Sequence, residues 1–133
     1  MTAKSVILVD DHDATRAEMA SIIEDEDDFD VVGQASNGED GVKLAMQKKP
    51  SLIVMDLVMP GISGIEAAKQ ISLFDSDIKI LALSNHSNKT MVKAVLQSGV
   101  TGYVRKDQAY EELLPAMRTV LKGETYMGRR LED

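Results

Sequence analysis

The sequence predicts one α/β domain built on an open parallel sheet with helices on both faces. Three observations predict it. Short apolar, β-branched runs recur along the chain, stretches of helical period separate them, and turn residues mark the junctions. At 133 residues the length suits a single domain with a core of its own.

Val6 to Val9 is the first apolar run, Leu52 to Met55 the next, and Ile78 to Leu83 a third, broken only by Lys79. Runs that are apolar on both faces belong to strands buried inside a parallel sheet. Val31-Val32 and Tyr103-Val104 are shorter and more mixed, as edge strands are. Between the strands, apolar residues recur at helical spacing. They are Met19, Ile22 and Ile23; Val42, Ala45 and Met46; Ile65, Ala68 and Ile71; Met91, Val92, Val95 and Leu96; and Leu113, Leu114, Met117, Val120 and Leu121. Asn37-Gly38, Lys49-Pro50, Met59-Pro60-Gly61, Ser98-Gly99 and Lys122-Gly123 fall at the junctions. Gly99 and Gly123 suit helix C′ positions, Pro115 suits an early position in the last helix, and Asp13 suits a helix N-cap. The methionines are expected in the core, the acidic run Glu24 to Asp28 in solvent, and Gly123 to Asp133 only weakly ordered.

Charge and composition exclude several classes. Lys plus Arg number 15 against 22 Asp plus Glu, for a net charge of -7. That argues against nucleic acid or an anionic membrane as the direct partner. With no cysteine, disulfides, thiolate metal sites and Cys nucleophiles are excluded. No apolar stretch is long enough to span a membrane and no signal peptide is evident, so the expected location is cytoplasmic.

Ligands of such a sheet bind outside the C-terminal ends of its strands. Asp10 and Asp11 follow the first strand and Asp56 ends the third. Ser84, Asn85 and His86 follow the fourth, and Arg105 and Lys106 the fifth. Three carboxylates, a hydroxyl and an ammonium therefore converge on one edge. Crowded carboxylates repel one another unless a cation intervenes, and an all-oxygen set suits Mg²⁺, with Mn²⁺ as the second choice. Any one Asp after a strand is more often a helix cap. The joint pattern is what points to chemistry.

On Val9-Asp10-Asp11, Met55-Asp56-Leu57-Val58-Met59-Pro60-Gly61 with Gly64, Leu83-Ser84 and Gly102-Tyr103-Val104-Arg105-Lys106, the sequence resembles the receiver domain of bacterial response regulators. Asp-Asp-His, Ser-Asn-His and Lys-Asp after strands one, four and five resemble the subfamily with a LuxR-type helix-turn-helix output domain. The resemblance implies a flavodoxin-like, doubly wound five-stranded parallel sheet of order 2-1-3-4-5 with five helices. It implies a receiver domain over residues 1–123 and the start of a linker over 124–133.

It also implies roles. Asp56 would accept a phosphoryl group from a sensor histidine kinase or a phosphotransfer protein. Asp10, Asp11, Asp56 and the backbone carbonyl of Val58 would hold Mg²⁺. Lys106 and Ser84 would each bind a phosphoryl oxygen. Ser84 and Tyr103 would form the switch, the ring following Ser84 inward. Val58 and His86 would tune the lifetime of the acyl phosphate. DNA control would act through a downstream domain, released or paired in a homodimer when Asp56 is modified. This chain itself would bind neither DNA nor membrane. Two features depart from the common pattern: Asp107 stands where many receivers place Pro, and Asn85 where many carry a smaller residue.

Two other classes compete. A haloacid-dehalogenase-like phosphatase needs a second Asp as general acid two residues beyond the nucleophile, where this chain has Val58. A flavodoxin-like flavin binder needs a hydroxyl- and Gly-rich phosphate loop after the first strand, where this chain has Asp10-Asp11.

Overall fold

The computed structural model describes residues 3–85 and 89–127. Strands β1 (Lys4–Val9), β2 (Phe29–Ala35), β3 (Leu52–Asp56), β4 (Lys79–Ser84) and β5 (Gly102–Arg105) alternate with helices α1 (Asp13–Glu24), α2 (Gly38–Lys48), α3 (Gly64–Phe74), α4 (Lys89–Gln97) and α5 (Ala109–Leu121). A short sixth strand, β6 (Tyr126–Met127), follows. The sheet order is β2-β1-β3-β4-β5-β6, and every neighbouring pair is parallel.

Alternation along the strands builds two cores. Ile7, Val9, Ile53, Met55, Ile80, Ala82 and Tyr103 face α2, α3 and α4. Val6, Leu8, Leu52, Val54, Leu81, Leu83 and Val104 face α1 and α5. These side chains are fully buried, and each large aliphatic one contributes about 1.5–3 kcal/mol on leaving water. Burial on both faces is why the central strands read as continuous apolar runs.

The edges depart from expectation. β2 spans seven residues rather than the Val31-Val32 core, because its middle is only half buried and the sequence there mixes polar and apolar residues. β6 adds a sixth strand, so β5 is not an edge. The turn into β6 closes as a Schellman motif: Gly123 N–H donates to Val120 O at 3.0 Å and Glu124 N–H to Thr119 O at 3.3 Å. Gly123 occupies the left-handed position this needs, with φ +87. Tyr126 N–H then donates to Thr101 O, and its hydroxyl donates to the Glu112 carboxylate at 2.7 Å.

Other local expectations shift. Asp13 is the first residue of α1; the N-cap is His12, which makes no side-chain cap bond. Asp13 instead pairs with Arg16 one turn on. Pro115 lies in the interior of α5, because the helix begins six residues before it. Met19, Met55 and Met117 are buried, but Met46 and Met127 are exposed. The acidic run is not merely solvated: Arg118 on α5 bonds Glu26 and Asp28 at 2.8 and 3.1 Å and stacks over Phe29. Val95 of α4 is buried, while the side chains of Met91 and Val92 lie outside those described. Among the described residues no helix is long and apolar enough to cross a membrane.

Candidate phosphoacceptor and metal site

The sheet order reverses between β1 and β3, and ligands of doubly wound sheets bind at that switch point. Asp10 and Asp11 leave the end of β1, and Asp56 ends β3 beside them. Gly64 lets α3 start directly behind Asp56. A Cβ there would stand 2.6 Å from both the Asp56 carbonyl oxygen and Leu57 Cα, so only glycine fits. The loop after β1 is held by two bonds. His12 N–H donates to Asp10 Oδ1 at 2.8 Å, and Arg16 donates to the Asp10 carbonyl at 2.6 Å.

Lys106 opens a 3-10 turn (Lys106–Gln108) after β5 and reaches across the sheet edge. Its Nζ lies 3.0 Å from Asp56 Oδ2, 3.2 and 3.1 Å from the two Asp10 oxygens, and 3.1 Å from His12 Nδ1. Asp56 Oδ1 accepts the Val58 N–H at 3.2 Å. Burial raises the Asp56 carboxyl above its ordinary value, against the lowering pull of Lys106 and the Val58 N–H. Burial also works against the Lys106 charge, but its bonds to Asp56 and Asp10 prevail and hold it above the ordinary lysine value.

Ser84 and Tyr103 lie on adjacent strands, both buried, and a hydrogen bond joins their hydroxyls. Burial raises the phenol above its ordinary value of 10.0. The Tyr103 ring is fully buried. Asp107 takes a structural place: Arg105 bonds both of its carboxylate oxygens, at 3.1 and 3.0 Å. Asn85 is exposed. Val58 is exposed beside Asp56, and His86 lies outside the described residues.

The donor set fits a divalent cation. Asp10, Asp11, His12 and Asp56 present ligand atoms that all lie within 4.8 Å of one another. Among the described residues, buried Asp10 Oδ2 and Asp11 Oδ1 accept no hydrogen bond. Asp10 Oδ2 meets only the Lys106 charge, and Asp11 Oδ1 only His12 Nδ1 at 3.3 Å. Three carboxylates against one ammonium leave two negative charges to be met. Two clefts, one lined by Phe29, Arg118 and Leu121 and the other by Arg16, Gln34 and Asp40, do not include Asp56 in their linings.

Sequence reasoning placed Asp10, Asp11, Asp56, Ser84 and Lys106 at one edge; the three carboxylates cluster there with Lys106, while Ser84 ends the neighbouring strand β4 against Tyr103. It gave the histidine of the Asp-Asp-His motif, His12, no role and missed Arg16. The i, i+3 spacing of Asp13 and Arg16 was the available signal for the latter.

A buried carboxylate at the switch point of a five-helix parallel sheet, flanked by an acidic pair and a lysine, defines a class of α/β domain. The response regulator receiver domain family matches residues 6–118, and this chain belongs to it. Receiver domains are components of two-component signalling systems. Over 123 residues, 92% of this chain, it is 40% identical to the response regulator UvrY of Escherichia coli, and over 119 residues it is 41% identical to the transcriptional regulatory protein LiaR of Bacillus subtilis. It spans 56% of the length of each. A LuxR-family two-component response regulator from Aurantimonas superposes with a TM-score of 0.93 at 30% identity, covering 98% of this chain and 93% of that one. These relatives support a receiver of the LuxR-type group.

Proposed function

We propose that this chain is a phosphorylation-controlled switch whose acceptor is Asp56. The observation that carries this is the Asp56 carboxylate, buried at the end of β3 and held by Lys106 on one oxygen and the Val58 N–H on the other. A carboxylate oxygen attacks the phosphorus of a phosphohistidine on a sensor kinase or phosphotransfer protein. The O–P bond forms as the P–N bond breaks, and the imidazole leaves with that electron pair. Lys106, already 3.0 Å from Asp56, neutralises a phosphoryl oxygen as a point charge. Asp10, Asp11, Asp56 and the Val58 carbonyl would hold Mg²⁺, or Mn²⁺. When bound, the ion neutralises the other phosphoryl oxygens.

Ser84 is the second phosphoryl ligand. Its hydroxyl exchanges the bond to Tyr103 for one to phosphate, which couples the charge event to β5. That is a two-state element biased by a local modification. Val58 and His86 set the lifetime of the product. Residues 1–123 form the receiver and 124–133 begin a linker, with β6 docking its first residues on the sheet. In the cytoplasm, a downstream domain, paired as a homodimer on phosphorylation, contacts DNA; this acidic chain does not.

The relatives UvrY and LiaR, the second named as transcriptional, support that output. The experiment is Mg²⁺-dependent labelling by a small phosphodonor. Wild-type protein takes up a label that hydroxylamine removes, and Asp56→Asn takes up none. Equal labelling of the variant contradicts the assignment.

A further inference from the structure

We infer that His12 is an additional metal ligand, which makes the site favour a first-row transition ion over Mg²⁺. The inference rests on the metal site proposed above and extends it to a residue outside the carboxylate set. The ammonium of Lys106 already occupies a cation position there: both Asp10 oxygens, Asp56 Oδ2 and His12 Nδ1 lie within 3.0 to 3.2 Å of it. In the neutral tautomer that carries its proton on Nε2, Nδ1 accepts from Lys106, because a protonated lysine only donates, and its lone pair faces that cation position.

Spacing agrees with coordination. Nδ1 stands 3.4 Å from Asp10 Oδ1 and 3.3 Å from Asp11 Oδ1. Neighbouring donors around an octahedral ion with bonds of about 2.1 Å stand about 3 Å apart, within a small ring rotation of these values. The backbone of His12 is pinned, its N–H to Asp10 Oδ1 and its carbonyl by Arg16 N–H, so the ring starts from a fixed point. The ring is otherwise exposed, with 65% of its side chain open to water, so nothing in the core explains its contact with the acidic pair. Mg²⁺ prefers oxygen donors, whereas later divalent ions gain from an imidazole nitrogen.

The test is pulsed electron paramagnetic resonance of untagged protein loaded with Mn²⁺. The chain has two histidines, so the source of any nitrogen coupling is quickly assigned. Directly bound ¹⁴N is expected in the wild type and in His86→Ala, and is expected to vanish in His12→Ala and His12→Gln. The ratio of Mn²⁺ to Mg²⁺ affinity, from competition titration, should fall about three-fold or more in both His12 variants. Mn²⁺ that binds, is weakened by Asp11→Asn, yet shows no nitrogen coupling in the wild type overturns the role of His12 and leaves the carboxylate site standing. Mn²⁺ binding that Asp11→Asn leaves unchanged overturns both.

Discussion

The Lys106 ammonium bonds the Asp56 carboxylate at 3.0 Å across fifty residues of sequence, and the same nitrogen lies 3.1 Å from Asp10. This contact fastens the ends of β1, β3 and β5 together and leaves the acidic edge short of positive charge by two.

Removing that nitrogen should expose the repulsion. Lys106→Ala leaves two buried carboxylates facing each other, and breaking a buried pair of this kind costs about 3–5 kcal/mol. The sign with pH follows from Asp56. Its carboxyl is already raised by burial, and losing Lys106 removes the main opposing pull. A carboxyl raised in the folded state binds its proton more tightly there than in the unfolded chain, so stability is gained as pH falls toward and through the folded value. Urea denaturation in chelator should show the deficit of Lys106→Ala at pH 7 and its partial recovery in acid. A deficit that stays constant with pH would contradict this account.

Ser84→Ala should separate chemistry from signalling. Asp56 and Lys106 remain, so the variant should still accept phosphate. The bond between Ser84 and Tyr103 is lost, at a cost of about 1 kcal/mol. Amide signals of α4 and β5 should move much less on phosphorylation than in the wild type. Wild-type shifts in the phosphorylated variant would remove Ser84 from the coupling.

Much of this edge was legible because strand ends are local features. Asp56 is read from an apolar run ending in a carboxylate, and Lys106 from the same pattern at β5. The pairing of Lys106 with His12 was not legible, since 94 residues separate them and the approach depends on two loops. The central strands announced themselves by continuous burial. β2, half buried, was read too short, and two-residue β6 carries no periodicity at all. The pairing of Arg118 with Glu26 and Asp28 was hidden for the same reason as the Lys106–His12 contact, because nothing local in an acidic run names a partner on α5.

That pairing has its own signature. Arg118 holds the Asp28 carboxyl below its ordinary value of 3.8, chiefly through the side-chain hydrogen bond. A carboxyl lowered in the folded state contributes stability that is present above 3.8 and lost as pH falls through the folded value. Arg118→Ala should therefore be less stable than wild type near neutrality, with the difference shrinking as pH falls below 3.8. Urea midpoints at pH 7 and pH 2.5 measure it. An equal difference at both would assign the loss to packing on Phe29.

The docking of β6 depends on Tyr126 and the buried Glu112. Tyr126→Phe removes a donor to a buried carboxylate, which costs about 1–3 kcal/mol. Hydrogen exchange at the Tyr126 amide, which donates to Thr101 in the folded chain, should accelerate while exchange in β1 and β3 stays slow. Unchanged exchange at Tyr126 would mean that backbone pairing alone holds the strand.

If a single carboxylate takes the phosphoryl group, covalent mapping will locate it by residue. Borohydride reduces an aspartyl phosphate to homoserine, which peptide mass spectrometry locates by residue. After Mg²⁺-dependent phosphorylation, homoserine is expected at position 56, with none at positions 10 or 11. Homoserine at Asp10 or Asp11, with Asp56 intact, would contradict that expectation.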